Sequence, residues 1–461
     1  MGDCSTIIVQ SQASSGINET EWRTSVSDTG RSCSRIKELG VVGAGGAGFP
    51  TAVKLRAKVE QVIVNAAECE PLLHKDKELL HHMAEPMFCG LQVAMTCVGA
   101  REGVIGIKGK YSDVIREIEA KCPGNVRVLP LTDIYPAGDE FILVHDVTGR
   151  VIPPGRLPKD VGAVVVNVET LVNIGMDQPV THKYLTVAGA VKTPVTFRVP
   201  VGMAVGDVIA AAGGATVSNS GVLLGGVMMA KPAADLAAPV TKTTGGIVVL
   251  PSSHKLLQRH LAKWPQIARI GRSACDQCSF CTELCPRYLL GHPILPHQAM
   301  RSLGFTKAHD QMIAGTLYCC ECNLCTMYSC PEDLDPKSVC VEAKPLAREK
   351  DLFFHGDPQQ IRPHPLATAR RVPISRLIAK LGLSSFKNVG PLTDFDFKPA
   401  RVTIPLQQHS GAAATPVVNA GQQVSAGDVL AEPTPGKLGA RIHASIAGTV
   451  RHVGESVVIE A

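Results

Sequence analysis

The sequence predicts a multidomain α/β protein, and three observations carry that expectation. At 461 residues and 48.8 kDa the chain outgrows a single hydrophobic core. Its first part alternates apolar strand-like runs with helical stretches, the pattern of an α/β domain with a largely parallel sheet. Nine of its sixteen cysteines crowd between Cys275 and Cys330, ahead of a tail that reads as all β. Hydrophobic residues at 45% and charged residues at 19% exclude a disordered or fibrous chain. A net charge of +5 is too weak an excess to point to nucleic acid.

Taken in order, residues 1–32 are polar with little periodicity and read as a flexible tail. They lack the apolar segment of a secretory signal, so the expectation is a reducing compartment in which thiolates are free to hold metal. Residues 33–178 form the α/β domain, with strands at 61–67, 103–109, 126–131 and 161–168 and helices at 75–89 and 111–121. Residues 179–255 read as a small β-grasp-like module with strands at 184–191 and 196–201 and a helix at 205–212. The charge-free stretch 208–230 is broken by glycines and by Ser218, Asn219 and Ser220, so it reads as buried strand and turn rather than a transmembrane segment. Residues 256–350 are helical, 351–399 a looser linker containing prolines, and 400–461 a small sandwich or barrel with turn signals every dozen residues or so.

The strongest chemical signal is Cys275-x2-Cys278-x2-Cys281-x3-Cys285-Pro286, followed by Cys319-x2-Cys322-x2-Cys325-x4-Cys330-Pro331. Two-residue gaps let three thiolates wrap one face of a 4Fe-4S cubane, and the proline turns the chain away. In two-cluster ferredoxins the fourth cysteine of each run ligates the other cluster. On that pattern Cys275, Cys278, Cys281 and Cys330 hold one centre, and Cys319, Cys322, Cys325 and Cys285 the other. Zinc knuckles also use Cys-x2-Cys, but they need two pairs rather than two triplets each ending in Cys-Pro. The second run carries one residue more before its last cysteine, and Cys320 is an extra thiol, read as a bystander.

Gly43-Ala44-Gly45-Gly46-Ala47-Gly48 contains a formal G-x-G-x-x-G, but the strand that a dinucleotide fingerprint requires does not precede it, because residues 34–39 read as helix. Glycines here let backbone N–H groups approach an anionic or planar cofactor. This loop with Phe49, Pro50 and Lys54 is followed by Asn65-Ala66-Ala67-Glu68-Cys69-Glu70-Pro71, Tyr135-Pro136-Ala137-Gly138-Asp139-Glu140 and Asn167-Val168-Glu169-Thr170-Leu171. In that order the motifs resemble the FMN- and NADH-binding subunit of respiratory complex I, the Rnf complex C subunit, and the cobalamin reductases of propanediol-utilisation microcompartments. The Cys-Cys-Glu-Cys-Asn-Leu-Cys run, the length and the β tail fit the last group most closely.

The resemblance implies a Rossmann-like flavin/NADH domain, an SLBB-like β-grasp module, a dicluster ferredoxin module and a C-terminal barrel-sandwich hybrid. It implies that Gly43, Gly45, Lys54, Asn65, Glu68, Tyr135, Gly138, Glu140, Asn167 and Thr170 contact FMN, and that Phe49 and Glu70 receive NADH. Ala67 stands where complex I has an acidic residue and Ala44 where it has arginine. The implied activity is an NADH-dependent oxidoreductase passing electrons through FMN and two 4Fe-4S clusters to cob(II)alamin, since a flavin converts a hydride into single electrons. Implied partners are NADH, cobalamin or a cobalamin adenosyltransferase, and microcompartment shell proteins, with a cytoplasmic location inside or beside the microcompartment. Two other readings keep the same electron entry. One gives electrons to a flavodoxin-like activator of a radical enzyme; the other makes the chain the entry subunit of an Rnf-type membrane complex.

Three further features read as structural. The β tail lacks the Met-Lys-Met context of a biotin carrier, and Lys437 is its only hairpin-tip lysine. His74, His81 and His82, beside Lys75, Asp76, Lys77 and Glu78, read as a solvated helix face. No serine or histidine stands in a recognisable nucleophile motif, so no catalytic side chain is assigned.

Overall fold

The computed structural model describes residues 29–305 and 310–461; most of the expected flexible tail lies outside them. The first sheet is wholly parallel, built from β1 (Gln61–Ala66), β2 (Glu102–Lys108), β3 (Val126–Leu131) and, after a short β4 (Ile134–Tyr135), β5 (Ala163–Asn167). Its order is β3-β2-β1-β5. β1, β2 and β5 are rich in Val and Ile and buried on both faces, as a parallel sheet covered by helices requires, while the edge strand β3 is partly exposed. Helices Ala84–Val98 and Val168–Gly175 cover one face and helix Glu140–Thr148 the other. The first two meet at Gly90 and Gly175: a β-carbon on either would come within 1.9 Å of the opposite backbone, at Leu171 and Pro86 respectively. The helix Thr29–Glu38 precedes the glycine loop, in the place where a dinucleotide fingerprint has a strand.

The second sheet joins β6 (His182–Gly189), β7 (Val195–Pro200), β8 (Ser220–Leu224), β9 (Lys231–Pro232) and β10 (Gly246–Pro251) in the order β7-β6-β10-β8-β9. Only the β6–β10 pair in it is parallel. Helix Val205–Ala211 packs in its core. Short helices then frame the cysteine runs: Trp264–Ala274, Phe280–Glu283, Pro286–Leu289, Pro296–Ser302 and Pro336–Glu349.

Residues 351–399, expected as a loose linker, pack against the domains before them. Here β11 (Val372–Pro373) pairs antiparallel with β4, helix Ile374–Lys380 buries Leu377, and the Thr196 N–H bonds to the Pro391 carbonyl. Apolar residues spaced between the prolines supply the burial that composition alone hid. The tail forms two facing sheets. One has β12 (Arg401–Pro405), β18 (Ser456–Glu460), β17 (Gly448–Val453) and β14 (Gln423–Val424); the other has β13 (Thr415–Pro416), β15 (Val429–Glu432) and β16 (Ile442–His443). Their inward Val, Ile and Leu side chains share one core. Among the described residues no helix is long and apolar enough to cross a membrane.

One expectation about the cysteines is corrected. Cys33 and Cys97 are joined in a disulfide between helices Thr29–Glu38 and Ala84–Val98. Neither belongs to a ligand run, so the thiols were not all free for metal.

Candidate functional site

β1 and β5 end side by side, with Asn65 paired to Asn167. Strand order runs away from β1 on both sides, which opens a crevice at the carboxyl ends of the strands, the usual ligand position in such sheets. The glycine loop lies across it. Gly45, Gly46 and Ala47 are exposed, and a β-carbon on Gly45 would rest 3.5 Å from the Asn167 β-carbon. Gly46 has φ +113° with open space on its side-chain face, so the loop presents bare backbone to the crevice. The loop is anchored by the Ala44 N–H, which donates to Thr170 Oγ1 at 2.9 Å, and by the Gly43 N–H, which donates to the Phe49 carbonyl. Phe49 itself is exposed at the rim.

The other expected flavin residues gather here. Asn65 Nδ2 donates to the Gly138 carbonyl at 2.9 Å, and Lys54 Nζ pairs with Glu140 at 2.6 Å. Asn167 caps helix Val168–Gly175 and donates to Asp76 at 2.9 Å. Burial, with the Asp76 carboxylate beside it, pushes Glu68 up to about 8 against the pull of Lys75. A bare-backbone cradle, a partly exposed lysine and amide side chains suit a phosphorylated planar cofactor.

Two expected contacts lie elsewhere. Tyr135 is 2% exposed, and its hydroxyl donates to the Cys322 carbonyl at 2.6 Å, away from the open crevice. The Glu70 carboxylate accepts the N–H groups of Val227, Met228 and Met229 at 2.8 to 2.9 Å. Glu70 thus binds the β-grasp module, and both its oxygens are taken; a free nucleotide contact is not what this geometry offers.

The charged helix is also corrected. His81 and His82 face solvent and Lys77 partly does; His74, Lys75, Asp76 and Glu78 are buried. Lys75 pairs with Asp76 at 2.5 Å and with Glu169 at 3.3 Å, and Glu169 pairs in turn with Lys183. This closed network forms the crevice floor, where partnered charges are tolerated. Sequence reasoning missed Lys75, Asp76, Glu169 and Lys183 as site residues, because local polarity does not reveal that opposite charges from three elements converge.

The two cysteine runs are structural repeats. In each, the residues two and four places after the first cysteine take left-handed backbone: Gln277 and Ser279, then Glu321 and Asn323. That register matches Cys319 with Cys275 and makes Cys320 the counterpart of Asp276. The extra residue of the second run is absorbed as a π-helical turn, Cys325–Ser329, opposite the α-helical Phe280–Glu283. Cys285 and Cys330 consequently leave with nearly the same backbone, φ −67°, ψ 121° and φ −77°, ψ 120°.

Cys275, Cys278, Cys281 and Cys330 line one open cavity. Burial pushes Cys281 up to about 12, with Cys275, Cys330 and Cys278 adding to the shift. Burial raises Cys285 likewise, its thiol neighbours being Cys320 and Cys319, and Cys325 faces Cys319 and Cys285. Among the described residues no trio of His, Cys, Asp or Glu converges tightly enough for one metal ion. Four thiols spread around a cavity fit a cubane.

The comparisons agree with this architecture. Residues 36–176 match the Nuo51 FMN-binding domain, 184–231 the SLBB domain, 274–335 the 4Fe-4S dicluster domain and 389–461 the RnfC barrel sandwich hybrid domain. Cobalamin reductase PduS of Citrobacter freundii is 43% identical over 430 residues, covering 92% of this chain and 95% of the relative. PduS of Salmonella typhimurium is also 43% identical, over 96% of this chain and 99% of the relative. The chain belongs to the PduS family. The C subunit of the Na+-translocating ferredoxin:NAD+ oxidoreductase complex of Acetobacterium woodii is 36% identical across 55% of this chain and 57% of that relative. As a PduS-family member the chain is an electron-transfer oxidoreductase that uses FMN and 4Fe-4S clusters. The multidomain α/β class expected from the sequence is the one observed.

Proposed function

We propose that the chain takes electrons from NADH and passes them through FMN and two 4Fe-4S centres to cob(II)alamin, giving cob(I)alamin. The observation that supports this most is the Tyr135 hydroxyl on the Cys322 carbonyl: Tyr135 stands three residues before Gly138, whose carbonyl accepts from Asn65 in the crevice, so one short segment links the crevice to a cysteine run. In this reading Gly43, Gly45, Lys54, Asn65, Glu68, Gly138, Glu140, Asn167 and Thr170 hold FMN. The Lys54 ammonium and the glycine-loop N–H groups neutralise its phosphate. Exposed Phe49 offers an apolar face to the nicotinamide. Bound FMN supplies the conversion of one hydride into two single electrons.

Cys275, Cys278, Cys281 and Cys330 hold one cubane, and Cys319, Cys322, Cys325 and Cys285 the other. The balance is one NADH oxidised to NAD+ and a proton for two cobalt centres reduced by one electron each. The acceptor is taken from the PduS relatives, which are named cobalamin reductases. A cobalamin adenosyltransferase that consumes cob(I)alamin, and shell proteins of a microcompartment, belong to the same proposal as partners. Anaerobic stopped-flow mixing of NADH-reduced protein with cob(II)alamin or with flavodoxin tests it. Faster oxidation of the protein by cob(II)alamin supports the reading; faster oxidation by flavodoxin overturns its acceptor.

A further inference from the structure

The two thiol sets meet different surroundings. One set, Cys285, Cys319, Cys322 and Cys325, is held against the domains that come before it. Tyr135 bonds the Cys322 carbonyl, and Asn323 Nδ2 donates to the Met228 carbonyl at 3.0 Å. Arg287, two residues after Cys285, pairs with Asp139 at 2.8 Å and lies 3.5 Å over the Phe141 ring. Tyr135 and Asp139 belong to the same short segment as Gly138, whose carbonyl is bonded by Asn65 in the crevice. Cys322, Leu324 and Met327 share one apolar core with Leu72, Leu73 and Tyr135.

The other set is tied to what precedes it at Asp333 and Leu334, after Cys330, rather than at the flavin domain: Lys255 pairs with Asp333, and Arg259 donates to the Leu334 carbonyl at 3.1 Å. Every residue lining the cavity of Cys275, Cys278, Cys281 and Cys330 lies between Cys275 and Pro336, so neither the flavin domain nor the β-grasp module contributes to it. Cys278 is exposed, and Phe280 beside it is 50% exposed.

We infer that the two centres are used in a fixed order, the inner set of Cys285, Cys319, Cys322 and Cys325 receiving each electron from the flavin crevice and the outer set releasing it at the Cys278–Phe280 edge. This rests on the reading that FMN and two cubanes are the carriers. Electron tunnelling falls steeply with distance, so the centre held by the Tyr135–Asp139 segment, which reaches the crevice at Gly138, fills first and the solvent-facing one empties to the acceptor. Each step moves one electron, with no bond made or broken; the second electron of the pair follows by the same route.

The test starts the reaction with light and EDTA, which reduce bound flavin without NADH, and follows each centre by rapid-freeze EPR. In Cys278→Ala the inner signal should appear at the wild-type rate while delivery of electrons to cob(II)alamin falls by more than about tenfold. Slowing of the inner centre by that factor, or undiminished delivery, overturns the order. In Cys322→Ala the outer centre, shown to be assembled by its dithionite-reduced spectrum, should fill more than about tenfold slower than in wild type. Filling at the wild-type rate overturns the order as well. Should Cys322→Ala fail to assemble, the Cys278→Ala result decides alone. Because no NADH is used, a wild-type flavin that does not react with NADH would sink the donor assignment and leave the order standing.

Discussion

The Glu70 carboxylate accepts the Met228 N–H at 2.8 Å, with the N–H groups of Val227 and Met229 beside it. A loop of the flavin domain thereby clamps a turn of the β-grasp module through one carboxylate. Hydrogen bonds to a charged group are the stronger kind, and removing the acceptor leaves three donors unpaired.

Glu70→Ala should therefore lower stability by about 2 kcal/mol and open residues 225–231 to proteolysis. Phe49→Ala, at an exposed rim position, should leave the melting temperature unchanged and raise the KM for NADH. Thermal unfolding and steady-state kinetics on both variants separate the roles. A Glu70→Ala protein of wild-type stability with only a raised KM would return Glu70 to the nucleotide site.

A second clamp is pH-dependent. Lys242 is buried where the β-grasp module, the glycine-loop domain and the tail meet. Its Nζ donates to the Gly40 and Arg441 carbonyls at 2.8 and 2.9 Å, near His443 and His409. Burial pushes it down to about 7, and the two N–H bonds of the neutral amine still satisfy both carbonyls. An unfolded lysine titrates near about 10.4. Between those values the unfolded chain binds the proton that the folded chain lacks, so stability rises with pH; below the lower value both states are charged and the slope vanishes. The stability of wild type relative to Lys242→Met should grow as pH increases from about 7 to about 10. A difference that stays flat or shrinks over that span contradicts a neutral Lys242.

The register of the two cysteine runs separates neighbouring thiols. Cys320→Ser should keep the iron content of wild type, since Cys320 aligns with Asp276, whereas Cys319→Ser should lose one centre. Iron and sulfide analysis of the two purified variants reads this directly. Loss of iron from Cys320→Ser with retention in Cys319→Ser would reverse the ligand assignment.

These elements also show what a sequence discloses. The strands of the first sheet, the glycine loop and the cysteine spacings were legible because each is a local pattern: continuous Val and Ile runs, clustered glycines, thiols two residues apart. The burial of Lys75, Asp76 and Glu78 was not, since a helix carrying these charges looks solvated until Glu169, Lys183 and the Leu392 N–H arrive from distant parts of the chain. Glu70 and Tyr135 were expected as nucleotide and flavin contacts, but their observed partners Met228 and Cys322 lie more than a hundred residues away, and no periodicity links them. The packing of 351–399 and the Cys33–Cys97 bond were hidden for the same reason.

Central to the proposed route are two crossed cubanes between the flavin crevice and the outer edge. In the proposed arrangement each final Cys-Pro leaves its own run toward the other centre, and Cys330 lines the cavity of Cys275, Cys278 and Cys281. The most direct measurement is EPR of dithionite-reduced Cys278→Ala, Cys330→Ala and Cys285→Ala proteins, with iron analysis on each. Crossed ligation predicts that Cys278→Ala and Cys330→Ala lose the same signal, that Cys285→Ala loses the other, and that each keeps one intact centre. Loss of one and the same signal from Cys278→Ala and Cys285→Ala, with Cys330→Ala losing the other, would make each fourth ligand local and contradict the crossed arrangement.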